Sequence, residues 1–265
     1  MTEKKRKSLE IEVASKTDIG RVRSSNEDSH LVLDLTETAL GRKGLLRLVA
    51  VADGLGGHAA GGTASLMAIS CLRDAFVGPE AAKLTKSQEA GALLEQTFHE
   101  ANKIVHEAGS SPGQFRGMGT TLVAALVGLN EVTICNVGDS RAYVLDKEHG
   151  LRQITKDHSW EAEYARRFPG GQPELAGATN LLTRALGPQK SVDVDEFTVP
   201  YGPGSTLFLC SDGLSRMVSD KEVQETLQKA SSVGDAVDTL VSQANEKGGE
   251  DNITVVALRA IRYSK

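Results

Sequence analysis

Apolar and polar positions alternate from Ile11 to Thr17, the two-residue period of a half-buried strand. A second short strand is read from Ser29 to Leu33. Leu45 to Ala52 is an apolar run of strand length that stops at Asp53-Gly54. Two stretches of helical character follow, Gly61 to Phe76 and Ser87 to Ala108, separated by Gly78-Pro79. Their small and aliphatic residues recur at helical spacing, so both are expected to pack on a sheet. After Gly109 to Gly117 the texture changes. Short runs come in quick succession: Thr120 to Val127, Val132 to Val137, Arg141 to Leu145 and Gln153-Ile154. The turns between them (Gly128-Leu129-Asn130, Gly138-Asp139-Ser140, His149-Gly150) leave no room for helices, which predicts an antiparallel meander. Asp157 to Asn180 is the least regular stretch, with Gly170-Gly171 and Pro173, and 159–180 reads as a flap or an ordinary surface loop. Strands from Val194 to Val199 and Thr206 to Ser211 come next. Helices from Ser219 to Ala230 and Gly234 to Asn245 then lead to a last strand, Asn252 to Ala260.

No linker, repeat or low-complexity tract interrupts the chain, so one domain over 10–262 is expected, after a flexible polar N-terminal tail at 1–9. With 265 residues and 40% hydrophobic positions it can bury a sizeable core. The net charge of -5 argues against a nucleic-acid surface, which needs a basic stripe. The basic opening from Lys4 to Lys7 is followed by no long apolar stretch, so it does not read as a secretory signal. No apolar run approaches a membrane span. Cys71, Cys135 and Cys210 lie in apolar surroundings without Cys-x-x-Cys spacing. Buried, reduced thiols of a cytoplasmic protein are expected.

The placement of acids carries the chemistry. Three apolar runs end in Asp53-Gly54, Gly138-Asp139 and Asp212-Gly213, each acid just past the C-terminal end of a strand. Two further groups, Asn26-Glu27-Asp28 and Glu250-Asp251-Asn252, lie just before a strand begins. In antiparallel neighbours the start of one strand lies beside the end of the next, so all five positions can meet at one edge. Crowded carboxylates repel and are forced toward protonation unless a cation neutralises them. Oxygen-only ligands with no clustered His or Cys select hard ions such as Mg²⁺ or Mn²⁺. Any one Asp-Gly is ordinarily a turn; the same pattern ending several apolar strands is better explained by a metal site.

The same residues resemble the protein phosphatase 2C family of metal-dependent serine/threonine protein phosphatases, in its bacterial form. The matching motifs are Arg23-Ser24-Ser25-Asn26-Glu27-Asp28, Val51 to His58, Gly119-Thr120-Thr121 and Gly138-Asp139-Ser140-Arg141. They continue with Thr155-Lys156-Asp157-His158, Ser211-Asp212-Gly213-Leu214 and Asp251-Asn252. The set runs in order along nearly the whole chain.

The resemblance implies an α+β fold, a four-layer α/β/β/α sandwich of two antiparallel sheets flanked by helices. It implies that Asp53 bridges two Mn²⁺ or Mg²⁺ ions, that Asp212 and Asp251 complete the first site, and that the Gly54 carbonyl and Glu27 serve the second. Asp28 would stand in the water shell, Asp139 with Asp212 would hold a third ion, and Arg23 would bind phosphate. Two ions about 3.5–4 Å apart can lower the pKa of a bridging water enough to supply the nucleophile. Some family members place a histidine after the Asp-Gly. Here that position is Leu55, which leaves the leaving-group proton to His58, His158 or a metal-bound water. Phosphorylated proteins are the implied partners, with a serine/threonine kinase opposing the reaction. The expected setting is a cytoplasmic monomer with no nucleic acid and no membrane.

Rival readings remain open at this point. Gly54-Leu55-Gly56-Gly57-His58-Ala59, with Asp74 further on, matches a dinucleotide-binding fingerprint after a strand and before a helix. Gly138-Asp139-Ser140 could carry a serine nucleophile. A catalytically silent signalling module of the same fold would have lost metal acids, and every expected acid is present.

Overall fold

The computed structural model describes residues 8–56, 59–84, 87–110, 113, 115–169 and 181–264. Strands β1 (Ser8–Asp18), β2 (Ser29–Asp34) and β3 (Leu45–Ala52) come first. The two-residue strand β4 (Gly54–Leu55) leads to helices α1 (Ala59–Val77), α2 (Pro79–Lys83) and α3 (Ser87–Ser110). The meander comprises β5 (Gly119–Thr120), β6 (Leu122–Gly128), β7 (Glu131–Val137), β8 (Arg141–Asp146) and β9 (Gly150–Gln153). Helix α4 (Trp160–Arg167), strands β10 (Asp195–Pro200) and β11 (Thr206–Cys210), helices α5 (Asp212–Ser215), α6 (Asp220–Lys229) and α7 (Val233–Glu246), and strand β12 (Ile253–Ser264) complete the order.

The strands form two five-stranded sheets, β1-β12-β11-β8-β9 and β10-β7-β6-β3-β2, and a small β4-β5 pair. Period-two alternation sorts their side chains into layers. On β3, Val49 and Val51 point to the other sheet and meet Val144, Leu209 and Val256. Leu48, Ala50 and Ala52 point the opposite way, into a cluster with Leu72, Phe76, Leu94 and Phe98 of α1 and α3. The outer face of the first sheet carries Phe208, Val255 and Ala257 against Val223, Leu227, Val237 and Leu240 of α6 and α7. Both faces of each sheet are thus covered, which is why the central strands read as unbroken apolar runs. This is the expected α/β/β/α sandwich. Cys135 and Cys210 are buried, Cys71 is half-buried, and all three are free thiols.

Register explains how distant acids meet. Ser29 pairs with Ala52, so the residues before β2 lie beside those after β3. Cys210 pairs with Val255, which brings the end of β11 to the start of β12. Leu122 pairs with Val137 at the end of β7. Every strand pair among the described residues is antiparallel. The dinucleotide reading needs parallel crossover units and fails on this topology.

Three local expectations are corrected. Strand β1 begins at Ser8, inside the tail assigned to 1–9. Leu9 pairs with Tyr263 and is buried between the sheets, which holds the chain there. Residues 1–7 lie outside the described set. The last strand likewise runs past both Ala260 and the domain end at 262, because β1 pairs with it as far as Ser264. Within the stretch read as irregular, Trp160–Arg167 is helical. Ser159 caps it by accepting the Ala162 N–H at 3.3 Å, with Glu161 and Glu163 in the first turn and Arg166 and Arg167 in the last, as the helix dipole favours. Trp160 stacks on Tyr164 along it, and Tyr164 meets Phe168 at a tilt just past its end, each pair with ring centroids 5.0 Å apart. Residues 170–180 of the flap lie outside the described set.

Candidate metal centre

One cleft of about 260 Å³ is lined by Arg23, Glu27, Asp53, Gly54, Asp139, Asp212, Arg216, Asp251 and neighbours including Leu55 and Leu182. Every metal- or phosphate-binding residue expected from the sequence therefore faces it except Asp28, which is buried and hydrogen-bonded to Ser211, the residue before Asp212.

Each acid is placed by backbone contacts. The Asp53 N–H donates to Thr121 Oγ1 at 2.9 Å, and its carbonyl accepts from Thr121 N and Thr120 Oγ1 at 2.8 Å. That is the work of the Gly119-Thr120-Thr121 motif. Asn252, beside Asp251, accepts the Glu27 N–H at 2.8 Å and donates to the Ile19 and Ser25 carbonyls at 2.9 and 3.0 Å. Asp212 opens the turn α5, whose last bond comes from Arg216 N to the Asp212 carbonyl at 2.9 Å. Gly54 allows a close approach: a Cβ there would stand 2.2 Å from the Gly61 carbonyl oxygen and 2.6 Å from that of Glu27. Gly54→Ala is expected to cost about 1–3 kcal/mol through this overpacking. It should also displace the Glu27 loop, with activity falling further than stability explains. Chemical denaturation alongside kinetics checks this; an unperturbed variant would remove Gly54 from the cleft's architecture.

The cleft is electrostatically unfinished. Burial, and then the charges of Asp28, Asp212, Asp139 and Asp251, push Asp53 well above the usual carboxylate range. Burial likewise pushes Asp28 up to about 7, with the Thr254 and Ser211 hydroxyls opposing and Asp212 and Asp251 adding to it. Asp139 is pushed up to about 7 by burial and Asp212, against Arg216. Asp212 is raised by burial, with Arg216 holding it down. Two oxygens of this group, Asp28 Oδ1 and Asp212 Oδ1, are buried without a hydrogen-bond partner. Five carboxylates line the cleft, with Asp28 buried behind them, against two guanidiniums in the lining.

Those guanidiniums occupy the positive role: Arg23 Nη2 lies 2.6 Å from Asp251 Oδ2, and Arg216 Nη2 lies 2.7 Å from Asp212 Oδ2 and 3.6 Å from Asp139 Oδ2. Among the described residues no three acids close on one point as a ready ligand set. The crowding, the orphaned oxygens and the all-oxygen chemistry fit hard divalent cations.

Sequence reasoning missed Arg216. Its signal was its place four residues after Asp212, within helical reach of that carboxylate. It also missed Leu182 in the lining. The suggestion of His158 as a leaving-group acid is not supported: the ring is fully buried and its Nδ1 accepts the Gly138 N–H at 3.0 Å, outside the cleft lining. His58 lies outside the described residues. Ser140 is buried with its hydroxyl 2.7 Å from Thr121 Oγ1, which removes it as an exposed nucleophile.

A two-sheet sandwich gathering acids from five strand ends defines a class: folds that build one all-carboxylate cleft whose oxygen donors suit hard divalent cations. Comparison with known proteins makes that particular. The chain matches the family described as Protein phosphatase 2C over residues 22–254. It is 42% identical over 243 residues to a serine/threonine phosphatase of Listeria monocytogenes, covering 91% of this chain and 92% of that one. The solved serine/threonine phosphatase Stp1 from Staphylococcus aureus superposes with a TM-score of 0.84 at 32% identity, covering 96% of each chain. The catalytic domain of the serine/threonine protein phosphatase PstP, solved in complex with two manganese ions, gives a TM-score of 0.80 at 32% identity, covering 96% of this chain and 100% of that one. The chain belongs to the protein phosphatase 2C family, in its bacterial form.

Proposed function

We propose that this chain hydrolyses phosphoserine and phosphothreonine on proteins, using Mn²⁺ or Mg²⁺ held in the acidic cleft. As an enzyme it is a protein serine/threonine phosphatase; the proposal concerns how its residues do the work. The observation that carries it is the convergence of Asp53, Asp212, Asp251, Glu27 and Asp139 on one cleft with Arg23 at its mouth. Asp53, Asp212 and Asp251 would hold one ion, Asp53 with the Gly54 carbonyl and Glu27 a second, and Asp139 with Asp212 a third. Asp28 would brace the arrangement from behind through Ser211. Bound there, such ions would neutralise phosphoryl charge and bring the pKa of a bridging water toward neutrality. The chain's own part is positioning and electrostatics, which is most of what phosphoryl transfer asks of a protein.

Arg23 is half-exposed, and its planar fork can donate to two phosphate oxygens when it leaves Asp251. Arg23→Ala is expected to raise KM for a phosphopeptide about 10-fold or more, the scale of a charge-assisted hydrogen bond, with a smaller change in kcat. An unchanged KM would count against this role. Leu55 lines the cleft where some family members carry a histidine, so no side chain of this chain is assigned to protonate the leaving group.

Phosphate release from phosphopeptides with Mn²⁺, and its loss on adding chelator, tests the whole reading. Release that persists in chelator would overturn it. A cytoplasmic monomer opposing a kinase belongs to the same proposal. Among the described residues no helix is long and apolar enough to cross a membrane.

A further inference from the structure

We infer that His158 is a positioning residue for Asp139: its buried ring, facing Asp195, clasps the Gly138 peptide and so sets the Asp139 carboxylate at the cleft. The clasp runs both ways. Gly138 N–H donates to His158 Nδ1 at 3.0 Å, and His158 N–H donates to the Gly138 carbonyl at 3.0 Å. A ring nitrogen that accepts carries no proton, so the proton sits on Nε2. That atom is buried 3.2 Å from Asp195 Oδ2 without making a hydrogen bond, and Arg184 Nη1 donates to Asp195 Oδ1 at 2.7 Å. Burial, and then the charge of Arg184, hold the ring below the usual histidine value against the pull of Asp195.

Gly138 needs holding. Its φ of 112° is one that L side chains rarely adopt, and a Cβ would meet Thr121 Cβ at 2.6 Å. Buried Asn136 donates to the same carbonyl at 3.3 Å. Rotation of this peptide would swing the next residue, Asp139, away from Asp212 and Arg216. The His158 carbonyl also accepts Thr183 N–H at 2.8 Å, beside Leu182 of the cleft lining. One residue thereby ties the segment before Asp139 to the segment that carries Leu182.

The role rests on the reading of Asp139 as an ion ligand, and two experiments on the full chain separate the two ideas. Nitrogen NMR on the ¹⁵N-histidine-labelled, metal-free chain should find His158 protonated on Nε2 and bare on Nδ1. A proton on Nδ1 overturns the clasp whether or not any variant folds. Calorimetric titration with Mn²⁺ should find the weakest class of binding reduced about tenfold in His158→Leu, as loss of a supporting residue does. It should be largely restored in His158→Asn, whose Oδ1 takes the place of Nδ1, with tighter binding unchanged in both. A weak class equal in all three proteins overturns the clasp alone. Absence of any weak class in the unmodified chain removes the ion reading of Asp139 and this role with it.

Discussion

Asp53→Asn lowers phosphopeptide turnover about 10³-fold or more and, in the metal-free protein, raises the melting temperature. The first half follows from the position of Asp53 among Asp212, Asp251 and Asp139, where one lost carboxylate removes an oxygen from two proposed ion sites; single preorganised electrostatic groups are typically worth about 10²–10³ in rate. The second half follows from the same crowding. Burial and then four neighbouring carboxylates oppose ionisation of Asp53, so a neutral amide of equal size relieves repulsion. The backbone bonds from Thr120 and Thr121 do not involve the carboxylate, so the fold is kept. A gain of about 1 kcal/mol raises Tm by about 2–4 °C in a domain of this size. Calorimetric scans in chelator and steady-state kinetics in Mn²⁺ check the two halves separately. A variant that keeps its turnover removes Asp53 from the mechanism. One that melts lower than the parent in chelator shows that the cluster is not under the strain described. Such opposition between activity and stability is what a site built for a missing charge should give.

Much of this was legible in the residues because two signals agreed. Apolar runs ending in Asp-Gly marked both strand ends and acids, and antiparallel pairing then required those ends to meet, as Ser29↔Ala52 and Cys210↔Val255 do. The layers were less legible. A strand buried on both faces loses its polar alternation, so β3 and β6 could not say which face met helices. Helix α4 was hidden because Gly170-Gly171 and Pro173 dominated the reading, although the Ser159 cap and aromatics four residues apart were present. The buried histidine was misread for a physical reason too. A sequence shows that a ring sits near acidic motifs, but not whether its nitrogens face the cleft or a backbone amide. Arg216 was missed because a short helical turn of four residues carries too little periodicity to reveal what lies on its inner face.

Mn²⁺ stabilises the protein most above pH 7, and that stabilisation shrinks as pH falls. Asp28 and Asp139 are both pushed up to about 7 in the folded chain, mainly by burial, against 3.8 for a free side chain. Between those values the metal-free folded state binds more protons than the unfolded state. Linkage then makes it gain stability as pH falls through 7 and lose it as pH rises, the opposite of a salt-bridged carboxylate. Lowered carboxylates such as Asp146, at about 2, act only at much lower pH. His30 and His158 are held below their usual value, chiefly by burial, and oppose the trend below about 6.5. Their contribution is common to both conditions and cancels in the difference between Tm with and without metal. Metal needs the ionised acids, so protons compete with it directly. At about a hundred times its Kd a single ion contributes about 2.7 kcal/mol, or about 5–10 °C at this chain length. The measurement is a set of paired scans, with Mn²⁺ and with chelator, from pH 5 to 8.5. A difference that grows toward low pH, or that is absent at pH 8, means the acidic cleft is not where the cation binds.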